Sequence, residues 1–264
     1  MNWVVRASGS KPLARTTQFM LTEEAHHLSV GESGVARVVE RTAQLMEQGV
    51  DPRKVAAIPI DILQKYVSEW ASASYDLFGG EDSTNAAESF ATSLKGRYRE
   101  SDGIYKDPKA LNQIYETEVA DSSTGGGAAL KKVQIPLRRA MNALLLDAYV
   151  ADATRIVARW NKILESHHVE ARILLPSIRF NRQQGLYGGF SYDPKGNPIT
   201  KEEFERRRND WLPVDDDYRY VRSCMVQSIE PGKFANWVAP PPVGINNQPV
   251  EFEYVKFHGH QQIH

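Results

Sequence analysis

One cysteine, Cys224, stands in the 264 residues. It excludes an intrachain disulfide and a thiolate metal cluster, and it fits a reducing cytoplasm. Charge of one sign is equally scarce. Lysine and arginine number 32 against 33 aspartates and glutamates, for a formal net charge of −1. No field of that size recruits nucleic acid or an anionic membrane. No apolar run approaches the roughly 20 residues that span a bilayer, and Met1 to Ser10 reads as too short and polar for a signal peptide. Internal repeats and low-complexity tracts are absent from the sequence. What remains is an ordinary globular composition, 41% apolar and 25% charged, long enough for one core with an appendage.

Proline divides the chain. Nine of the 14 prolines fall in residues 167–264, and the stretch before them carries long helical patterns. Pro12 and Gly49 bracket a helix over about 13–48, roughly 54 Å long at 1.5 Å per residue. Asp51-Pro52 caps a short turn, with Pro52 suited to a first helical position. Pro59 opens a second helix to about residue 77, which Gly79-Gly80 ends. Residues 79 to 133 read as mixed loop and short helix, with a flexible turn at Gly125, Gly126 and Gly127. Pro136 begins a helix to about 165, striped by Leu146, Val150, Ala153, Val157, Trp160 and Leu164. Beyond it only short helices fit, near Lys201 to Asp210 and Asp215 to Met225. The expected fold is mainly α, with an incomplete helical region over 1–166. An irregular, Pro/Gly-rich arm over 167–264 then packs on that core or on a partner.

One constellation carries chemistry. Glu23-Glu24-Ala25-His26-His27 contains Glu-x-x-His twice, and residues three apart share a helix face. Either pair offers a carboxylate and an imidazole to one metal ion. Iron suits that mixed ligation, and helical bundles build di-iron sites from this motif. Phase separates the pairs. Glu24 and His27 lie on the stripe of Met20, Gly31, Val35, Val38 and Leu45; Glu23 and His26 lie with Phe19, Val30, Ser33, Arg37 and Arg41. The inward pair is therefore Glu24/His27, and Glu23 is placed to orient a ligand histidine. A lone Glu-x-x-His also arises by chance on solvated helices. Gly31 and Gly34, each costing on the order of 1 kcal/mol in mid-helix, point to a close helix crossing or a channel. A second pair, Glu165/His168, reads as a solvated helix end, where histidine suits the negative end of the dipole. Arg206 to Arg208 sit among glutamates on a solvated face. Gly185, Gly188 and Gly189 form no dinucleotide fingerprint, and His258, His260 and His264 read as a polar tail.

The words around the motif are more specific than the motif. Phe19 to His27, Val30-Gly31-Glu32-Ser33-Gly34 and Arg41-Thr42 resemble the second ligand helix of the oxygenase component of the benzoyl-CoA 2,3-epoxidase family. The similarity continues through Asp76 to Gly79, Ser83 to Ala87, Val133 to Asn142 and Arg159-Trp160-Asn161-Lys162. It resumes at Leu175-Pro176-Ser177, Arg179-Phe180, Trp211-Leu212-Pro213, Glu230 to Lys233, Trp237 to Pro241, Gly244 to Pro249 and Phe252 to Val255.

The resemblance implies a ferritin-like bundle holding two irons, with Glu24 and His27 as the last ligand pair. It also implies O2 and benzoyl-CoA as substrates, and a separate flavin/iron–sulfur reductase that delivers electrons from NADPH. No individual catalytic residue is assigned. A CoA thioester carries phosphates, so Arg172, Arg179 and Arg182 become candidate anion ligands, although surface arginines more often pair with carboxylates. The family's other ligand helices precede this one, and Met1 to Ser10 do not resemble them. The chain is thus expected to be a truncated or split form, inactive alone, completed by a missing N-terminal half or by self-association. Two further readings stay open: a non-catalytic interaction module, and a ferritin-like iron-binding protein.

Overall fold

The computed structural model describes residues 11–78, 114–120, 130–225, 228, 230–244 and 246–255. Its order is α1 (Lys11–Glu47), a 3-10 turn (Pro52–Val55), α2 (Ile60–Asp76), β1 (Ile114–Ala120), β2 (Leu130–Pro136) and α3 (Leu137–Ser166). A 3-10 turn (Gly185–Tyr187), α4 (Lys201–Trp211), α5 (Asp215–Cys224), β3 (Lys233–Phe234) and β4 (Glu253–Tyr254) follow. The chain is mainly helical. The helix limits meet the expected ones because the signals are local. Gly49 adopts a φ of +70° beyond α1, and the Asp51 side chain accepts a hydrogen bond from Arg53 N with Pro52 at the first position.

One expectation is overturned. Part of the stretch 79–133, read as loop and short helix, is an antiparallel hairpin in which Ile114 pairs with Pro136 and Ala120 with Leu130. Residues 79–113 and 121–129, including Gly79-Gly80 and Gly125 to Gly127, lie outside the described residues.

The chain forms two units, each discontinuous in sequence. The first comprises Met1–Val30, Trp70–Asp152 and Pro176–Arg206. Here Tyr75 is fully buried and donates its hydroxyl to Pro176 O at 3.0 Å, and Phe180 meets Phe204. Asp76 at the end of α2 accepts from Arg182 Nε at 2.8 Å and from the amides of Gln183 and Gln184. Arg182 also donates to Ile178 O and Tyr75 O. Gly196, at φ +86°, has Ser177 Oγ 2.5 Å from where a Cβ would sit, so only glycine fits.

The second unit comprises Gly31–Glu69, Ala153–Leu175 and Arg207–His264. Its core joins Val39 and Ala43 of α1 to Val157 and Leu164 of α3 and to Val169 and Ile173 beyond it. A neighbouring cluster joins Ala56, Ile58, Ile62 and Cys224, and Thr42 donates to Ile58 O at 2.6 Å beside it. Two side-chain amides grip the extended segment after α3. Asn161 bonds both backbone groups of Ile173 at 2.8 Å, and Gln64 bonds those of Leu174 at 2.9 and 2.7 Å. The segment from Lys233 to Tyr254 lies along α1. Ala239 N donates to Arg37 O, and Arg37 Nε returns a bond to Ala239 O at 2.6 Å. Arg41 donates to Asn236 O and its guanidinium stacks 3.6 Å above the Tyr254 ring.

Candidate functional site

Helix geometry places Glu24 and His27 one turn apart on α1, and the structure sets Glu24 Oε2 3.9 Å from His27 Nδ1. That spacing lets one ion take an oxygen and a nitrogen from the same face. His26 and His27 hold their rings 6.3 Å apart, centroid to centroid. The pair is not buried: the His27 side chain is 64% exposed and that of Glu24 50%, and Glu23 and His26 are exposed as well. The apolar stripe was expected to carry the pair into a core. It enters a core only further along, where Val35 and Val38 are half-buried and Leu45 is buried. Around the motif Phe19, Met20, Leu28 and Val30 are all exposed, so this end of the helix carries a sequence suited to burial without the burial.

Of the two readings of Gly31 and Gly34, a close helix crossing or a channel, the close crossing is corrected. An added Cβ at either would meet nothing within 4 Å, so no described element crosses α1 closely there. The proposed polar face is corrected as well. Arg41, assigned by phase to the surface of Glu23 and His26, is buried. The cause is long-range: a segment about 200 residues away covers that part of α1. Desolvation lowers the Arg41 pKa, partly offset by Tyr254, and burial is the main factor that raises the Tyr254 hydroxyl.

The three candidate phosphate arginines have separate fates. In the first unit Arg182 is buried, and each of its three nitrogens donates within the fold, to Asp76 and to two carbonyls, which removes it from the anion-binding set. Its neighbour Arg179 lies 5.7 Å above the Tyr187 ring. In the second unit Arg172 is exposed and donates to Val169 O and Ala171 O, so a ligand would compete with its own backbone. Glu165 and His168 are exposed at the end of α3, as read; His168 takes a φ of +57° in the chain reversal. Arg206 is exposed and pairs with Glu203 at 3.3 Å.

Sequence reasoning missed the histidine between that pair. His167 Nδ1 lies 2.7 Å from Glu47 Oε2, and Nε2 lies 3.0 Å from Glu40 Oε1. Glu40 and Glu47 are seven residues apart, two turns along one face, and that spacing was the available signal. Glu40 also borders a groove of about 580 Å³ in the same unit, walled by Pro240, Pro241, Phe252 and Tyr254 with Arg37 and Gln44.

Whether these residues suit a metal is decided by donor count. Glu24 and His27 fit part of an oxygen/nitrogen site, and among the described residues no group of three or more His, Cys, Asp or Glu side chains is placed to hold an ion. Bundle di-iron sites draw a glutamate from each of two helices and a Glu-x-x-His from each of two more. Fold and site together define a mainly helical chain that carries a Glu-x-x-His pair, Glu24/His27, on the exposed end of a long helix.

Comparison with known proteins finds a relative. The chain is 43% identical over 255 residues to benzoyl-CoA oxygenase component B of Aromatoleum evansii, a match covering 95% of this chain and 53% of that protein. This chain is similar to that protein over the segment they share, and it spans about half the relative's length. No protein-family model matches the chain.

Proposed function

We propose that this chain furnishes the Glu24/His27 portion of a di-iron centre in a monooxygenase that epoxidises the ring of benzoyl-CoA. The carrying observation is the 43% identity across nearly the whole chain, together with an intact Glu-x-x-His on the exposed end of α1. Glu24 and His27 would hold iron, and Glu23 would orient a ligand histidine. When bound, the di-iron group supplies the activation of O2 that lets one oxygen atom add to an aromatic ring. The complete fold is a ferritin-like bundle, the remaining ligands coming from helices outside these 264 residues. Electrons come from a flavin/iron–sulfur reductase that uses NADPH, in keeping with a "component B" that implies other components, and the assembly is cytoplasmic. No helix among the described residues is long and apolar enough to cross a membrane.

The test is complementation. The chain is co-expressed with the part of the Aromatoleum evansii protein that it does not match, and NADPH- and benzoyl-CoA-dependent O2 uptake is measured with the reductase. Uptake that Glu24→Ala removes supports the proposal; a stable complex with no uptake contradicts it. A second reading, an interaction module without catalysis, is favoured by exposed Phe19, Met20, Leu28 and Val30 and predicts that second result.

A further inference from the structure

His167 occupies the last turn of α3's neighbourhood, just past Ser166, in the unit that does not contain Glu24 and His27. Both ring nitrogens approach a carboxylate oxygen on α1, at 2.7 Å from Glu47 and 3.0 Å from Glu40. A neutral imidazole has one N–H donor and one lone pair. It satisfies one carboxylate and turns its lone pair on the other. Two such contacts at these distances require both nitrogens to carry hydrogen, which is the imidazolium. The cation also sits where it is most useful. It lies at the negative end of the α3 dipole, and Glu47, at the negative end of α1, is in an unfavourable place unless a cation faces it.

We propose that His167 is a proton-dependent clip that fastens the end of α3 to two turns of α1 and sets the charge of the adjoining groove. Loss of one proton to solvent leaves a single N–H. The shorter contact, to Glu47, keeps it, and Glu40 is released. Among the described residues Glu40 then keeps its bond from Gln44 Nε2 at 3.0 Å and adds one negative charge to the groove it lines with Arg37, Gln44 and Tyr254. The clip thus couples pH to the charge of an otherwise mainly apolar surface. Glu40 and Glu47 are the charged groups on α1 that face the ring. On the α3 side Ser166 turns its hydroxyl to Ile163 O, and Glu165 and His168 are exposed. The hydrogen bond to Glu47 is the largest influence raising the His167 pKa above its ordinary 6.5; burial opposes it and Glu40 adds to it.

A histidine whose folded-state pKa is raised stabilises the fold fully below the unfolded value, and that contribution is lost as pH rises through the folded value. The clip is therefore fully closed below about pH 6.5 and opens as pH rises through the raised folded-state value. The experiment is a ¹H–¹⁵N titration of the histidine rings in the 264-residue chain, with amide exchange followed at Val169, whose N–H bonds Leu164 O at 2.9 Å. The expected result is a His167 midpoint above 6.5 that falls in Glu47→Gln and, less, in Glu40→Gln. Val169 protection, corrected for base catalysis, should drop several-fold across that midpoint and be flat with pH in His167→Gln. A wild-type midpoint at or below 6.5, or midpoints unmoved in both glutamine variants, overturns the clip. So does Val169 protection that ignores the midpoint. Glu47 is 44% exposed, so Glu47→Gln leaves the core untouched.

Discussion

Arginine at position 41 shows how one side chain can be polar by sequence and structural by placement. Its Nε–H reaches Asn236 O while its plane lies on Tyr254. Lysine has neither the planar face nor a donor at that point of the chain. Arg41→Lys is expected to destabilise by about 1–2 kcal/mol in chemical denaturation, with little effect on helix content. Asp76 is the larger case. Its carboxylate meets a guanidinium that is 2% exposed and also receives two backbone amides. Asp76→Ala leaves that cation buried and unpaired, for an expected loss of about 3–5 kcal/mol, read from the same denaturation curves. An unchanged midpoint in either variant would show that the bonds described contribute nothing net. Both residues belong to stretches through which the family resemblance was recognised, Arg41-Thr42 and Asp76 to Gly79. Asn161, from a third such stretch, clasps Ile173. The hydrogen-bond partners of Arg41, Asp76 and Asn161 described above lie 12 to 195 residues away, beyond the reach of local pattern.

At the scale of elements, the helices were legible and the hairpin was not. Helix ends are written locally, by Gly49 with its positive φ and by Pro52 behind a capping aspartate. The stripe on α3 was legible for the same reason, and Leu146, Val157 and Leu164 are buried as its period requires. β1 carried its own signal in the alternation of Tyr115, Thr117 and Val119 with Glu116 and Glu118, obscured by the glycine-rich turn read beside it. The two ends of α1 differ more than any pattern in the helix announces. The same apolar stripe is buried at Leu45 and exposed at Met20, because periodicity records what a face is suited to meet rather than what meets it. Phe19 and Val30 share one face of α1 and are both exposed, and an exposed apolar strip of this kind is expected to drive association. Phe19→Ser combined with Val30→Gln should shift the chain towards monomer in sedimentation velocity at constant helix content. An unchanged oligomer distribution would remove this strip as the associating surface.

For the whole molecule, sequence composition divided the chain at residues 166 and 167, whereas the two compact units each draw on both sides of that division. The helices run on from one unit into the other, so their limits are no guide to the units. The chemistry follows a similar rule. The identities of Glu24 and His27 and their shared face were readable from spacing alone. What spacing does not supply is the set of opposing donors, and among the described residues none completes a three-ligand group. Two donors on one exposed helix face bind iron weakly; the same two donors facing three or four more bind it tightly, because each added ligand offsets the loss of hydration and fixes the geometry. The proposed enzyme is thus a property of an assembly to which this chain brings one ligand pair.

The most direct test is bound iron after anaerobic reconstitution with Fe(II). It is measured per chain for the chain alone and for its complex with the unmatched part of the Aromatoleum evansii protein, with Glu24→Ala/His27→Ala as the control in both. The account predicts little iron above control for the chain alone, and about two irons per complex, reduced in the double variant. Equal iron in the wild-type and double-variant complexes would contradict it, since Glu24 and His27 would then have no part in the centre.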